Sequence, residues 1–265
     1  MAPIRAPRMA GIVDAALRSG KMVCGHARSL SGKALQAYAA AGIGSDHEIT
    51  SADDLMEKLA TGLTIELRGS HPYLLAEFAT ALQALPQMPV TVSFCSDDVF
   101  PDDLLATGGV DQMLRTMVGH GLDPMRAVQA ATLNAAIRLG RRDLGLIGAG
   151  KRADLAIFGD LQTFEARGVI ANGKRVGAIS EGSHVPAAFR KTCNLPPFDA
   201  SSFMLPAKGP KVRLATIDKP RFTAWGEVEA MVESGHVVRP DDATMIAVIN
   251  RHGGPTRPRL GYLRG

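Results

Sequence analysis

Between residues 8 and 150 short strand-like runs alternate with windows of helical spacing, and nothing else in the chain constrains its fold as much. Strand-like runs fall at 21–24, 63–67 and 90–95, and Gly42-Ile43-Gly44 leads into a further strand end. Helical spacing covers 9–19, 31–41, 51–60, 72–85, 103–118 and 124–139. Ser51 before Asp53 and Asp54 reads as an N-cap with an acidic first turn, and Pro72 as a first-turn proline. Strands separated by helices of this length are βαβ units, which build a parallel sheet. Four such units fit half of a (β/α)8 barrel. A doubly wound sheet would show the same alternation, but no glycine-rich phosphate fingerprint follows a strand; Gly42-Ile43-Gly44 is a lone G-x-G. The barrel is favoured because polar residues gather where successive strands end, the place of active sites in that fold.

Three polar runs stand at those ends: Gly25-His26, Ser45-Asp46-His47-Glu48 and Cys95-Ser96-Asp97-Asp98. Imidazoles and carboxylates suit divalent zinc, iron or manganese, so His26, His47 and Asp97 are candidate metal ligands. A carboxylate touching both metal and water can shuttle protons, which makes Asp97 the candidate catalytic base. Glu48 is a second acid–base candidate, a partner orienting His47, or a helix-start glutamate. Asp98 is read either as an acceptor for a substrate hydrogen bond or as a solvated turn residue. Arg68 contacts an anionic or carbonyl group of the substrate, or pairs with an acid. A single histidine is more often structural than a ligand; three candidates at three strand ends outweigh that reading. His71, His120, His184, His236 and His252 lack that placement and are expected to be structural or on the surface. Cys24 and Cys95 lie in apolar strands and are expected to be buried and inert.

Near residue 145 the pattern changes. Strand-like runs at 153–158, 164–170 and 175–178, with Asn172-Gly173 as a tight hairpin turn, make a small β unit. A proline-rich stretch at 182–210 reads as loop, 213–217 and 245–250 read as strands, and the basic tail carries no closing element. The expected division is 8–144, 145–180 and 181–265. With 46% hydrophobic and 21% charged residues the composition is globular. The net charge of +4 is scattered and aromatics are 5%, which argues against nucleic-acid binding. Three separated cysteines without a CxxC pair point to a reducing compartment and no disulfide framework. No apolar run reaches membrane-span length, and the basic N-terminus has no apolar segment behind it. A cytoplasmic location and no membrane partner are expected.

Several runs together resemble the bacterial adenine deaminases of the amidohydrolase superfamily. They are Cys24-Gly25-His26-Ala27 with Leu30-Ser31-Gly32-Lys33, Ser45-Asp46-His47-Glu48, Cys95-Ser96-Asp97-Asp98, and Ala130-Ala131-Thr132-Leu133-Asn134-Ala135-Ala136. Gly145-Leu146-Ile147 and Gly150-Lys151-Arg152-Ala153-Asp154-Leu155 complete the likeness, which is strong over about residues 8–180. It implies a metal-dependent hydrolase that converts adenine to hypoxanthine and ammonia, with metal-generated hydroxide attacking the ring carbon that bears the amine. It assigns His26 and His47 as ligands from the fifth and sixth barrel strands and Asp97 as the eighth-strand ligand and proton shuttle. It gives Asp98 a contact to the purine ring, and implies manganese or iron as a two-metal centre. The fold it implies is α/β: the second half of a TIM-like barrel, then the small β unit of the composite amidohydrolase type. The family's H-x-H pair is absent, and Met1 to Arg8 contain no glutamate where the family carries one. The chain is therefore expected to be an internal piece of such an enzyme. Its expected partner is a second copy or a chain supplying the missing half-barrel. The alternatives are a non-catalytic remnant and a related amidohydrolase acting on another cyclic amidine or amide.

Overall fold

A computed structural model of the chain describes residues 7–177, 186–219, 224–253 and 257–264. His184 and Ala178, assigned above to a structural histidine and a strand end, lie outside the described residues. The chain forms two compact units, Met1–Ile179 and Ser180–Gly265.

In the first unit β1 (Val23–Gly25), β2 (Ile43–Asp46), β3 (Thr64–Arg68) and β4 (Val92–Cys95) pair in sequence order, each parallel to the next. Helices α1 (Pro7–Arg18), α2 (Gly32–Ala40), α3 (Ala52–Ala60) and α4 (Leu75–Gln83) alternate with them. The α/β alternation and parallel sheet expected from the spacing are thus present. Ser51 caps α3 by accepting from the Asp54 N–H at 3.1 Å.

The register Ile65↔Val92 and Leu67↔Phe94 puts buried apolar side chains on one sheet face. There they share a single core with Leu35 of α2, Leu55 of α3, and Phe78 and Leu82 of α4. The intervening positions are polar. Cys24, Ser45 and Glu66 converge on one guanidinium, with Arg138 Nη2 2.9 Å from Cys24 Sγ and 3.3 Å from Ser45 Oγ, and Nε bonded to Glu66. Cys24 is therefore exposed, not a core residue, because it lies on the polar face; Cys95 is half-buried.

The helical spacing at 103–118 resolves into two helices, α5 (Pro101–Thr107) and α6 (Val110–Gly119). Gly108 between them has φ +97°, which no helix accommodates. The run at 124–139 is α7 (Pro124–Gln129) and α8 (Ala135–Arg138), joined without a break by a π turn at Ala130–Asn134. An antiparallel sheet follows: β5 (Leu155–Phe158), β6 (Ala166–Ala171) and β7 (Lys174–Arg175). Asn172 and Gly173 turn β6 into β7 with φ +50° and +76°, as expected for a two-residue hairpin. Phe164 is fully buried and joins the main core, edge-on to Phe158 at 5.3 Å.

The second unit carries the short helix α9 (Ala187–Arg190) and a five-stranded sheet. Its strands are β8 (Lys211–Lys219), β9 (Ala224–Glu233), β10 (His236–Val237), β11 (Thr244–Val248) and β12 (Arg259–Leu263), in the order β10-β9-β8-β12-β11. The tail, expected to hold no element, forms β12 between β8 and β11 and buries Tyr262. Five residues of alternating character pair here because two neighbouring strands offer free edges. Among the described residues, no helix is long and apolar enough to cross a membrane.

Candidate metal centre

Parallel strands in consecutive order bring their C-terminal ends to one edge of the sheet, and the polar runs fall there. His26 follows β1, His47 and Glu48 follow β2, Arg68 ends β3, and Asp97 stands two residues beyond β4. Gly25 makes the first of these ends: a Cβ on it would fall 1.8 Å from Tyr38 Oη. Asp97 takes φ +60°, a left-handed conformation that aspartate tolerates, and turns the chain immediately after its strand.

His26, His47 and Glu48 each offer a ligand atom within 4.8 Å of the others. The imidazoles meet edge to face with centroids 4.4 Å apart. Glu48 is buried, His47 half-buried and His26 exposed, so the group opens on the His26 side. Asp97 Oδ1 stands 4.0 Å from His47 Nε2, outside the three-residue group. Arg68, itself buried, lies between the two acids: Nη1 is 2.8 Å from Asp97 Oδ2 and 3.2 Å from Glu48 Oε1. Arg28 Nη1 approaches Glu48 Oε2 at 3.3 Å, an oxygen that is buried and accepts no hydrogen bond. Asp98 is exposed and forms none of these ion pairs. Of the residues singled out from sequence, His26, His47, Glu48, Arg68 and Asp97 are thus brought together, and Asp98 stands at the margin.

Burial pushes the Asp97 carboxyl up, but the Asp98 N–H, the Arg68 guanidinium and the His47 ring outweigh it and hold its pKa below the ordinary range. Asp97 is an anion at neutral pH. Cys95 is pushed up to about 12, first by burial and then by the negative field of Asp97 and Glu66.

The donor set fits a divalent transition metal. It holds two imidazoles and a buried carboxylate oxygen without a hydrogen bond, with a second carboxylate beside it. Two residues joined to this site were not assigned to it from the sequence: His71, expected to be structural or on the surface, and Arg28. His71 takes a hydrogen bond with Arg68 Nη2 at 3.0 Å and another with Ser70 Oγ at 3.0 Å. Together with His47, Arg68, Leu67 and Phe78 it lines a shallow hollow. It lies three residues beyond the end of β3, too far to have been counted as a strand-end residue. Arg28, two residues beyond His26, carried no signal at all.

The amidohydrolase family model matches residues 5–176. An adenine deaminase 2 of Agrobacterium fabrum is 53% identical over 98% of this chain and 45% of its own length. One of Rhizobium etli is 52% identical over 98% of this chain and 44% of its own. An adenine deaminase of Klebsiella pneumoniae is 47% identical over 97% and 44%. The chain therefore spans less than half the length of these relatives.

Proposed function

This chain belongs to the amidohydrolase family, and from that premise we propose that it carries part of the active site of an adenine deaminase-type hydrolase. The reaction is adenine plus water to hypoxanthine plus ammonia. The observation that carries this reading is the convergence of His26, His47–Glu48 and Asp97 at neighbouring ends of one parallel sheet. The sheet then corresponds to the second half of a (β/α)8 barrel. Residues 8–144, 145–180 and 181–265 correspond to barrel, small β unit and a further domain.

His26, His47 and Glu48 would hold the divalent cation, manganese or iron, with Asp97 at its side. When bound, such an ion supplies the Lewis acidity that brings a water near neutrality. Asp97, ionised at the outset, takes a proton as water adds to the carbon bearing the amine. The same carboxyl returns the proton to nitrogen as the carbon–nitrogen bond breaks, so that ammonia leaves and the carboxylate is restored. Asp98 accepts a hydrogen bond from a ring N–H of the purine. Arg68, committed to Glu48 and Asp97, orients those two acids against the substrate.

The test is ammonia release from adenine with manganese or ferrous iron supplied. Asp97→Asn is expected to lower kcat about 10²–10⁴-fold, while Asp98→Asn acts chiefly on KM. Absence of release from a chain holding far less than one metal would defeat autonomous activity. A second reading, a chain whose site is completed by a partner, is supported by α1. That helix buries no side chain and leaves Met9, Ile12 and Leu17 exposed on an apolar stripe. A cytoplasmic location is part of the same proposal and accords with three free cysteines among the described residues.

A further inference from the structure

Behind the metal-binding cluster lies a charge that the proposed chemistry does not use. Lys58 is on α3, on the same face as buried Leu55, and its side chain is fully buried. An ammonium brings three N–H donors that need partners. Nζ donates to Asp54 Oδ2 at 2.9 Å and to the main-chain oxygen of Glu48 at 3.0 Å. It also stands 2.8 Å from Asp46 Oδ2, an ion pair off the hydrogen-bond axis. Asp46 is itself fully buried and turns its other oxygen to two backbone donors, the N–H of Ala27 at 2.9 Å and that of Glu48 at 3.0 Å. Ala27 follows His26, and Asp46 and Glu48 flank His47. Asp54 in turn accepts from the Thr50 N–H at 2.8 Å, which fixes the turn that leaves the cluster.

A helix that only filled the core would carry an apolar side chain at 58. Burying opposite charges is costly, and well-packed apolar residues of similar volume often serve stability as well or better. What the pair adds is direction: a carboxylate held by an ammonium accepts its two N–H bonds in one geometry only. We propose that Lys58 is a positioning residue. Through Asp46 it sets the separation of the His26 segment from the His47–Glu48 segment, and so the bite of the site on a divalent cation. The assignment deepens the reading of this cluster as a metal centre and rests on it.

The test uses the full chain, metal-free, and follows amide hydrogen exchange by NMR at Ala27, Glu48 and Ile65. Ile65 N–H bonds to Thr91 O at 2.7 Å and reports opening of the sheet itself. In Lys58→Met, exchange at Ala27 and Glu48 is expected to rise at least about tenfold relative to Ile65, since local opening is separable from global unfolding. Asp46→Asn, which faces an amide donor toward the ammonium, is expected to do the same and serves if Lys58→Met does not fold. A merely structural lysine would speed all three amides together, and that result overturns the proposal. So does an unchanged ratio in a folded variant, or Ala27 and Glu48 amides that are unprotected in the wild-type chain. Manganese titration of the same samples separates the two claims. A wild-type chain that takes up no manganese defeats the metal reading and leaves the exchange result standing. Where the wild type does bind, a folded variant with weakened manganese binding is the expected companion of the local opening.

Discussion

At the scale of single residues, the chemistry around Asp97 depends on which neighbours are charged. Arg68 serves two acids, and Glu48 is shared between Arg28 and Arg68. The same logic is testable away from the site at Asp111. Burial raises its pKa, but the Gly109 N–H at 2.8 Å and Arg115 at 2.9 Å prevail and lower it. A carboxyl lowered in the folded state adds stability above the unfolded value of about 3.9 and loses it as pH falls through the folded value. Arg115→Met should therefore move the Asp111 midpoint upward in a carboxyl NMR titration, and the share of acid destabilisation that this carboxyl contributes should shrink. Cysteine reactivity gives an independent check. Cys95, pushed up to about 12, should alkylate with iodoacetamide at pH 8 far more slowly than exposed Cys24 and Cys193; mass spectrometry reads the order.

At the scale of elements, two joints hold the strand ends in place. The first is β1 against α2, where Gly25 leaves room for the buried Tyr38 hydroxyl. Gly25→Ala should cost about 1–3 kcal/mol through overpacking and displace His26 with it; denaturant midpoints measure the loss. The second joint is the π turn before α8. Its extra residue aims the buried Asn134 amide at β4, donating to Val92 O at 2.6 Å and Pro89 O at 2.9 Å. Asn134→Ala leaves those carbonyls without their donor and should cost about 1–3 kcal/mol. Asn134→Asp should cost more, because it turns an anion against two acceptors; urea unfolding distinguishes the two variants. The run containing Asn134 was legible in the sequence as helical, and its π turn was not, since an inserted residue leaves apolar spacing almost unchanged over one turn.

At the scale of the whole molecule, the core that supports the site draws its residues from between Ala27 and Phe164. In the second unit the buried apolar residues, among those described, are Ala230, Ala243 and Tyr262. A chain of residues 1–179 should therefore melt cooperatively on its own, and 180–265 should not; circular dichroism of the two pieces decides it. The strands and helices of the first unit and the strand-end placement of His26, His47 and Asp97 were legible because each depends on local spacing and turn chemistry. Lys58 was not singled out from the sequence, because its burial and its pairing with Asp46 appear only in the fold. Gly108 could be seen as a glycine, yet only the fold shows that it divides α5 from α6. The β12 strand was hidden because its pairing partners lie far away in sequence. By itself the sequence determined which residue types stand at which strand ends, since that follows from period and turns. The tertiary structure alone decided that Glu48 comes within 4.8 Å of both histidines while Asp97 stands 4.0 Å from His47, and that Lys58 and Arg68 stand behind and between the acids. Those distances join segments whose sequence separation says nothing of direction; sheet register and helix packing supply it.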